Sequence, residues 1–339
     1  VTAQPFIDVH THVMPLPFLR ALAADGLADL DGLGEHVVRI APEVSGLPMT
    51  APIPCPPAQY DLDARLSTLD SAGVDVHVVS APPFLFAARQ DDQRRVFGLL
   101  RALNEAIVEF AAAAPGRLVP LGTVAVGHRG AAAEARHCME ELGCAGIALG
   151  THGAGKELDH PDNDELWDYL AAHEVFVLLH PGASAADARL GDYHLTQLLG
   201  FPVDTATAVA RLIFGTVLDR YDPLICLCHG GGCAPALAPR WDLGWRRKAV
   251  AGTSRQPPSA YLSRFCYDTA VFDIPTLRLL VDRMGADRVL LGTDSPFDLA
   301  DQRPRATVAA LGLNDEDERR IAGGNAARLL GGRLLEPTT

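Results

Sequence analysis

Phe6-Ile7-Asp8-Val9-His10-Thr11-His12-Val13 is a short apolar run that ends in two imidazoles spaced two residues apart. As a β-strand, whose side chains alternate between faces, it points His10 and His12 to the same side, the geometry a chelating pair needs. Three further apolar runs end in a group able to bind a metal: Val175-Phe-Val-Leu-Leu-His180, Leu224-Ile-Cys-Leu-Cys-His229 and Arg288-Val-Leu-Leu-Gly-Thr-Asp294. One pattern recurring at separate places predicts a single metal centre assembled from strand ends.

Working outward, strand-like runs fall at 6–9, 74–80, 118–124, 146–150, 175–180, 224–229, 265–269 and 289–293. Helical patterns lie between them, at 93–114, 131–142, 163–172, 204–220 and 274–284. Continuous Val/Ile/Leu runs without polar alternation indicate strands buried on both faces, as in a parallel sheet. No Gly-x-Gly-x-x-Gly turn follows the first run. The expected α/β fold is therefore a closed (β/α)8 TIM barrel rather than an open nucleotide-binding sheet. The candidate ligands then sit at the C-terminal ends of strands one, five, six and eight, the end where such barrels carry their active sites.

The 339 residues are expected to form one metal-dependent barrel domain, 1–339. Residues 13–60 do not fit the repeat. They are rich in Gly and Pro, include Ala51-Pro-Ile-Pro-Cys-Pro-Pro57, and are expected as an insertion or lid at the barrel mouth. Residues 246–259 carry Arg246, Arg247, Lys248 and Arg255, either as a solvated loop or as an anion-binding or subunit-contacting segment.

Hydrophobic residues make up 48% of the chain, enough for a large core, and the formal charge of −13 argues against nucleic-acid or anionic-membrane partners. A small-molecule substrate is expected. The cysteine count of 7 is odd, no Cys-x-x-Cys pair occurs and no secretory segment opens the chain, which predicts reduced thiols in a cytoplasmic protein. Cys226 and Cys228 alternate before His229 and are expected as small core residues rather than thiolate ligands. No stretch is apolar enough for a bilayer.

Borderline divalent ions such as zinc prefer imidazole nitrogen and carboxylate oxygen, and a catalytic site keeps a position for water. His10, His12, His180 and Asp294 supply that set. His229 is either a fifth ligand or the acid/base group beside the metal. Only two lysines occur, Lys156 and Lys248, and neither lies in a strand-like run. A carbamylated strand lysine bridging two ions is thus ruled out at 146–150, and one metal per chain is expected. His152 follows the fourth run and is placed to face substrate; Phe84, after the second, is a candidate pocket wall. The remaining histidines, His36, His128, His137, His160, His173 and His194, read as loop or helix-surface residues, and His77 as a satisfied strand residue.

Asp8-x-His-x-His12, His180-Pro181, His229-Gly-Gly-Gly232, Gly292-Thr-Asp294-Ser-Pro-Phe297, Asp75-Val-His-Val-Val-Ser80, Gly146-Ile-Ala-Leu-Gly-Thr-His152 and Gly323-Gly-Asn-Ala-Ala-Arg-Leu-Leu330 together resemble the amidohydrolase superfamily. The resemblance is to its 2-amino-3-carboxymuconate-6-semialdehyde decarboxylase-like branch, and it runs along nearly the whole chain. It implies zinc held by His10, His12, His180 and Asp294, with His229 acting on the metal-bound water; the free oxygen of a ligand carboxylate makes Asp294 a second candidate proton carrier. It also implies non-oxidative decarboxylation of an unsaturated or aromatic carboxylic acid by a homodimer. The branch's substrate-binding arginine has no counterpart around 53–57, where Arg39 is the nearest upstream cation; its pocket tryptophan aligns near Gln197, and its arginine from across the dimer near Arg247 or Lys248. A different acid is therefore expected. The same ligands serve a metal-dependent hydrolase of an amide or lactone, or a hydratase, and those remain the alternative readings, with a catalytically silent zinc protein beyond them.

Overall fold

Covered on both faces, the apolar runs become strands of one parallel sheet. The computed structural model describes residues 4–87, 92–182 and 188–334. Its barrel strands are β1 (Ile7–His12), β2 (Val76–Ser80), β3 (Leu118–Val124), β4 (Gly146–Gly150), β5 (Phe176–His180), β6 (Leu224–Leu227), β7 (Cys266–Asp268) and β8 (Val289–Leu290). They pair in parallel in chain order. Closure is made between β1 and the segment at and beyond β8. Val9 N donates to Leu291 O at 2.9 Å, Asp294 N to His10 O at 2.9 Å and His12 N to Ser295 O at 2.8 Å. The expected (β/α)8 barrel is the fold observed.

Helices Leu62–Ala72, Gln93–Ala112, Ala131–Arg136, Asp164–Ala172, Phe201–Phe214, Ala234–Arg247 and Ile274–Met284 fill the crossovers. Strand residues and the helix faces above them form a continuous buried core, with Trp167 fully buried and its Nε1 donating to Leu158 O at 2.9 Å. The helix expected over 204–220 is broken, because Thr216 takes a left-handed backbone (φ 60°) between Phe201–Phe214 and Val217–Arg220. Strands β6 and β8 stop earlier than their apolar runs, at Leu227 and Leu290. The remainder of each run leaves the ladder to carry His229 and Asp294.

The 13–60 segment is more regular than its Gly and Pro content suggests. It forms helix Leu16–Ala24 and a small antiparallel sheet of Ala28–Asp29, Val37–Ile40 and Ile53–Pro54. Phe18, Leu19, Val38, Ile40 and Ile53 are buried in it. Met14 N donates to Gln59 O at 2.8 Å, which ties the two ends of the segment together at the exit of β1. Its turn Pro42–Ser45 packs on the turn Pro83–Leu85 that follows β2, at the C-terminal end of the barrel. No described helix is long and apolar enough to cross a membrane.

Candidate metal centre

The rings of His10, His12 and His180 stand 5.0 to 5.1 Å apart, centroid to centroid, at the C-terminal end of β1 and β5. Each ring is fixed through Nδ1. For His10 the partner is Asp268 Oδ2 at 2.6 Å, for His12 it is Ala81 O at 3.1 Å, and for His180 it is Pro181 O at 2.7 Å. A neutral imidazole that donates from Nδ1 presents a bare lone pair at Nε2. All three Nε2 atoms are buried without a hydrogen-bond partner, and so is Asp294 Oδ1. That oxygen lies 3.3 Å from His10 Nε2 and 3.1 Å from His12 Nε2, and ligand atoms of the four residues all fall within 4.8 Å of one another. Lone pairs converging in a dry pocket repel one another unless a cation lies between them. Three nitrogens and one carboxylate oxygen fit one borderline divalent ion.

The electrostatics agree with that fit. Burial pushes His12 and His180 below the usual imidazole range, so both are neutral donors. Burial acts the same way on His10, but Cys228, Asp294 and Asp268 outweigh it and raise it well above the usual imidazole range, so positive charge is favoured at this position, where a metal ion on Nε2 would take the place of a proton. Asp294 is opposed by its burial too, yet His10, His12 and His229 keep its carboxyl well below the usual carboxylate range. The pocket therefore favours a cation against an ionised Asp294.

His229 stands over the same carboxylate, its Nε2 3.4 Å from Asp294 Oδ2, and its Nδ1 is buried without a partner. Both residues have left-handed backbones, φ 54° for His229 and 68° for Asp294, a conformation non-glycine residues adopt at a cost. Glycines take up the turn behind His229. A Cβ at Gly232 would lie 2.4 Å from Pro202 O.

Two buried supports hold the ligand-bearing segments together. Asp8 accepts from His10 N at 3.0 Å and from Thr293 N at 3.1 Å through Oδ1, and from Thr293 Oγ1 at 2.5 Å through Oδ2. Burial pushes its carboxyl up to about 7 despite the Thr293 hydrogen bonds. Arg65, buried on helix Leu62–Ala72, donates to His12 O and approaches His77 Nδ1 at 3.4 Å. Replacing Asp8 by alanine strands three donors in the barrel wall and is expected to cost about 3 kcal/mol, read as a lower denaturant midpoint at unchanged slope. Gly292 matters by its size: a Cβ there would lie 2.7 Å from Asp268 Cβ and 3.0 Å from His10 Cβ. Gly292→Ala should displace both side chains and, at the roughly 1–3 kcal/mol typical of overpacking, weaken metal affinity about 5- to 150-fold. Competition with a chelating dye measures it.

A family model described as amidohydrolase matches residues 7–332. The chain belongs to the amidohydrolase family. Within it, the similarity is to the branch of 2-amino-3-carboxymuconate-6-semialdehyde decarboxylase. This amidohydrolase is 29% identical over 334 residues to that enzyme from Dictyostelium discoideum, covering 96% of this chain and 91% of the relative. Its fold superposes on 5-carboxyvanillate decarboxylase from Sphingomonas paucimobilis with a TM-score of 0.79 at 24% identity, over 97% of this chain and 99% of the other. Dihydroxybenzoic acid decarboxylase from Polaromonas sp., solved with manganese and the inhibitor 2-nitroresorcinol, gives 0.77 at 23% identity, over 96% and 97% of the two chains.

The amidohydrolase brings His10, His12, His180, Asp294 and His229 to one place. His152 lies on the same rim beyond β4, partly exposed, with Asp204 Oδ1 3.8 Å from its Nδ1. Phe84 is half-buried in the turn after β2; from that turn it is the ring of Phe86 that meets His180, at 6.3 Å. Phe201 lies 6.0 Å from His180 and Phe297 5.3 Å from His12, so aromatic rings surround the cluster. Arg247 is exposed at the far end of a helix that starts at the rim with Ala234, and those 14 residues span roughly 21 Å. Arg39 pairs with Asp29 at 3.6 Å across the small sheet. Gln197 lies in the turn Thr196–Gly200, and residues 183–187 of the preceding loop fall outside the described residues.

Cys228 sits beside His10 and Asp268, but burial pushes its thiol up to about 12, so it is a neutral core group, as expected. Lys156 corrects a detail: it lies in a short hairpin strand beyond β4, donating to Asp162 Oδ2 and Gly127 O, each at 2.7 Å, and is not in a barrel strand. His128 corrects another. It lies in a loop, as one of the expected readings has it, but is buried there, its ring 6.0 Å from Phe97. Residue types alone do not single out Asp268, Arg65, Phe86 or Gln59. The last is fully buried, with both amide atoms lacking a partner. Asp268 carries a signal, since it lies next to the end of its apolar run, one residue before Thr269.

Proposed function

We propose that this amidohydrolase is a zinc-dependent, non-oxidative decarboxylase of an unsaturated or aromatic carboxylic acid. The observation that carries the reading is the convergence of the unpartnered His10, His12 and His180 Nε2 atoms and Asp294 Oδ1, with His229 on the free side of Asp294. Decarboxylase relatives spanning nearly the whole chain support the reaction class. A divalent ion held by His10, His12, His180 and Asp294 supplies a Lewis acid for the substrate's oxygens and lowers the pKa of water toward ~7. Zinc suits these donors best; manganese, found in the Polaromonas sp. enzyme, satisfies them as well.

The chain's own residues do the rest. When the bond to the carboxylate breaks, its electron pair stays on the ring or diene carbon, carbon dioxide leaves, and that carbon takes a proton. His229, at the solvent-facing edge of the cluster beside Asp294 Oδ2, is placed to hold and deliver it, and Asp294 supports the charged imidazole. Phe86, Phe201 and Phe297 give a flat unsaturated acid apolar faces to lie against. The 13–60 segment forms one side of the mouth in this reading, with Phe84 behind it. Arg247 reaches substrate only as the contribution of a second copy in a homodimer, which sedimentation would test.

The experiment is to incubate metal-loaded protein with 2-amino-3-carboxymuconate semialdehyde, 2,6-dihydroxybenzoate and 5-carboxyvanillate and to follow headspace carbon dioxide and the products. Stoichiometric carbon dioxide is the expected result. A new carboxylate from an amide or lactone, or addition of water without carbon dioxide, would replace this reading by the hydrolase or the hydratase.

A further inference from the structure

Beside the metal cluster, the rim carries a second ordered imidazole that the proton chemistry does not use. Gly150, the last residue of β4, is the register partner of His180 on β5, so His152 stands just beyond the level of the ligands on the adjacent strand. Its backbone is fixed by a short hairpin in which His152 pairs with Glu157 and Gly153 with Lys156. Its ring is fixed from below. Thr151 Oγ1 donates to Asp204 Oδ2 at 2.5 Å, which leaves the hydroxyl oxygen to accept from His152 Nδ1–H at 3.2 Å. Asp204 is itself anchored, accepting from Gly182 N at 3.3 Å, two residues past His180. It lies one helical turn beyond Phe201, whose ring is 6.0 Å from His180 and 6.3 Å from His229.

The chain therefore spends a buried threonine, a nearly buried aspartate and a hairpin on orienting one histidine that remains 20% exposed. With Nδ1 committed, Nε2 is the free end, and it has no partner among the described residues. An imidazole held in one tautomer by a hydroxyl and a carboxylate presents a directed polar atom at Nε2, in the manner by which enzymes orient a histidine toward a reacting partner. The 53–57 stretch supplies no cation for a substrate oxygen.

We propose that His152 Nε2 hydrogen-bonds an oxygen substituent of the substrate, a phenolic, enolic or second carboxylate oxygen on the part of the molecule turned away from the metal, and that Thr151 and Asp204 are its positioning residues. This rests on the decarboxylase reading. It makes His152 a selector for acids that carry such an oxygen.

The test uses full-length, metal-loaded protein and the variants His152→Ala, His152→Gln, His152→Asn and Asp204→Asn, with metal content and thermal midpoint measured for each. Gln places its amide near the position of imidazole Nε2, and Asn places its amide near Nδ1. The expected result is KM for 2,6-dihydroxybenzoate raised about 10- to 100-fold in His152→Ala, with kcat changed much less and metal content intact, in line with a lost directed hydrogen bond. His152→Gln should recover more of KM than His152→Asn. Asp204→Asn should raise KM several-fold. Dissociation constants for 2-nitroresorcinol by calorimetry should follow the same order. A purely structural role would lower the thermal midpoint and metal content without separating Gln from Asn.

If the wild type releases carbon dioxide but KM and 2-nitroresorcinol binding are unchanged in His152→Ala, the proposal falls and the decarboxylase reading stands. If the wild type binds these compounds in a His152-dependent way without releasing carbon dioxide, the reverse holds. If it binds none of them, both fall.

Discussion

Replacing His180 by alanine is expected to abolish metal binding and turnover while leaving the barrel folded. Its ring ends β5, is fixed by Pro181 O, and aims a buried, unpartnered Nε2 at Asp294, His10 and His12. Altering an outer partner of a metal ligand typically costs 10- to 100-fold in affinity. Loss of a ligand itself should exceed roughly 100-fold on that scale, and turnover should fall about 10^3-fold or more, the several kcal/mol a Lewis acid contributes. The sign of the stability effect is diagnostic. In metal-free protein the substitution removes one lone pair from a repulsive cluster, so apo His180→Ala should melt no lower than apo wild type. Added zinc should raise the wild-type midpoint and leave the variant's nearly unmoved, because only binding to the native state stabilises it. Metal analysis and melting with and without zinc read both effects.

Replacing His229 by alanine should separate chemistry from metal binding. Its Nε2 contacts Asp294 Oδ2, the oxygen turned away from His10 and His12, so the four proposed ligands remain in place without it. Metal content should stay at the wild-type level, with kcat reduced about 10^2- to 10^4-fold, the usual contribution of a positioned acid or base. KM should move little by comparison, since the proton is needed at the transition state. Full activity after this change would remove His229 from the mechanism.

The barrel was legible because each strand is buried on both faces and therefore spells itself as an unbroken apolar run, as at Leu118–Val124 and Gly146–Gly150, where expected and observed bounds coincide. The ends of β6 and β8 were not, for a physical reason. Hydropathy does not change where the ladder stops, yet His229 and Asp294 turn left-handed to face inward. Residues that act through a partner were hidden in the same way. Asp8 and Asp268 are ordinary carboxylates in sequence, and only the closed barrel brings Asp8 to Thr293 and Asp268 to His10. Phe86 rather than Phe84 meets His180, because the turn Pro83–Leu85 sets which ring points inward. The small sheet in 13–60 escaped notice since its outer strands are two residues long and interleaved with prolines.

Metal stoichiometry in active protein tests the central claim most directly. Elemental analysis of the purified enzyme, alongside carbon dioxide release before chelation, after it and after zinc is restored, should give one divalent ion per chain and activity that rises and falls with that ion. Fully active protein containing no divalent metal would contradict the account.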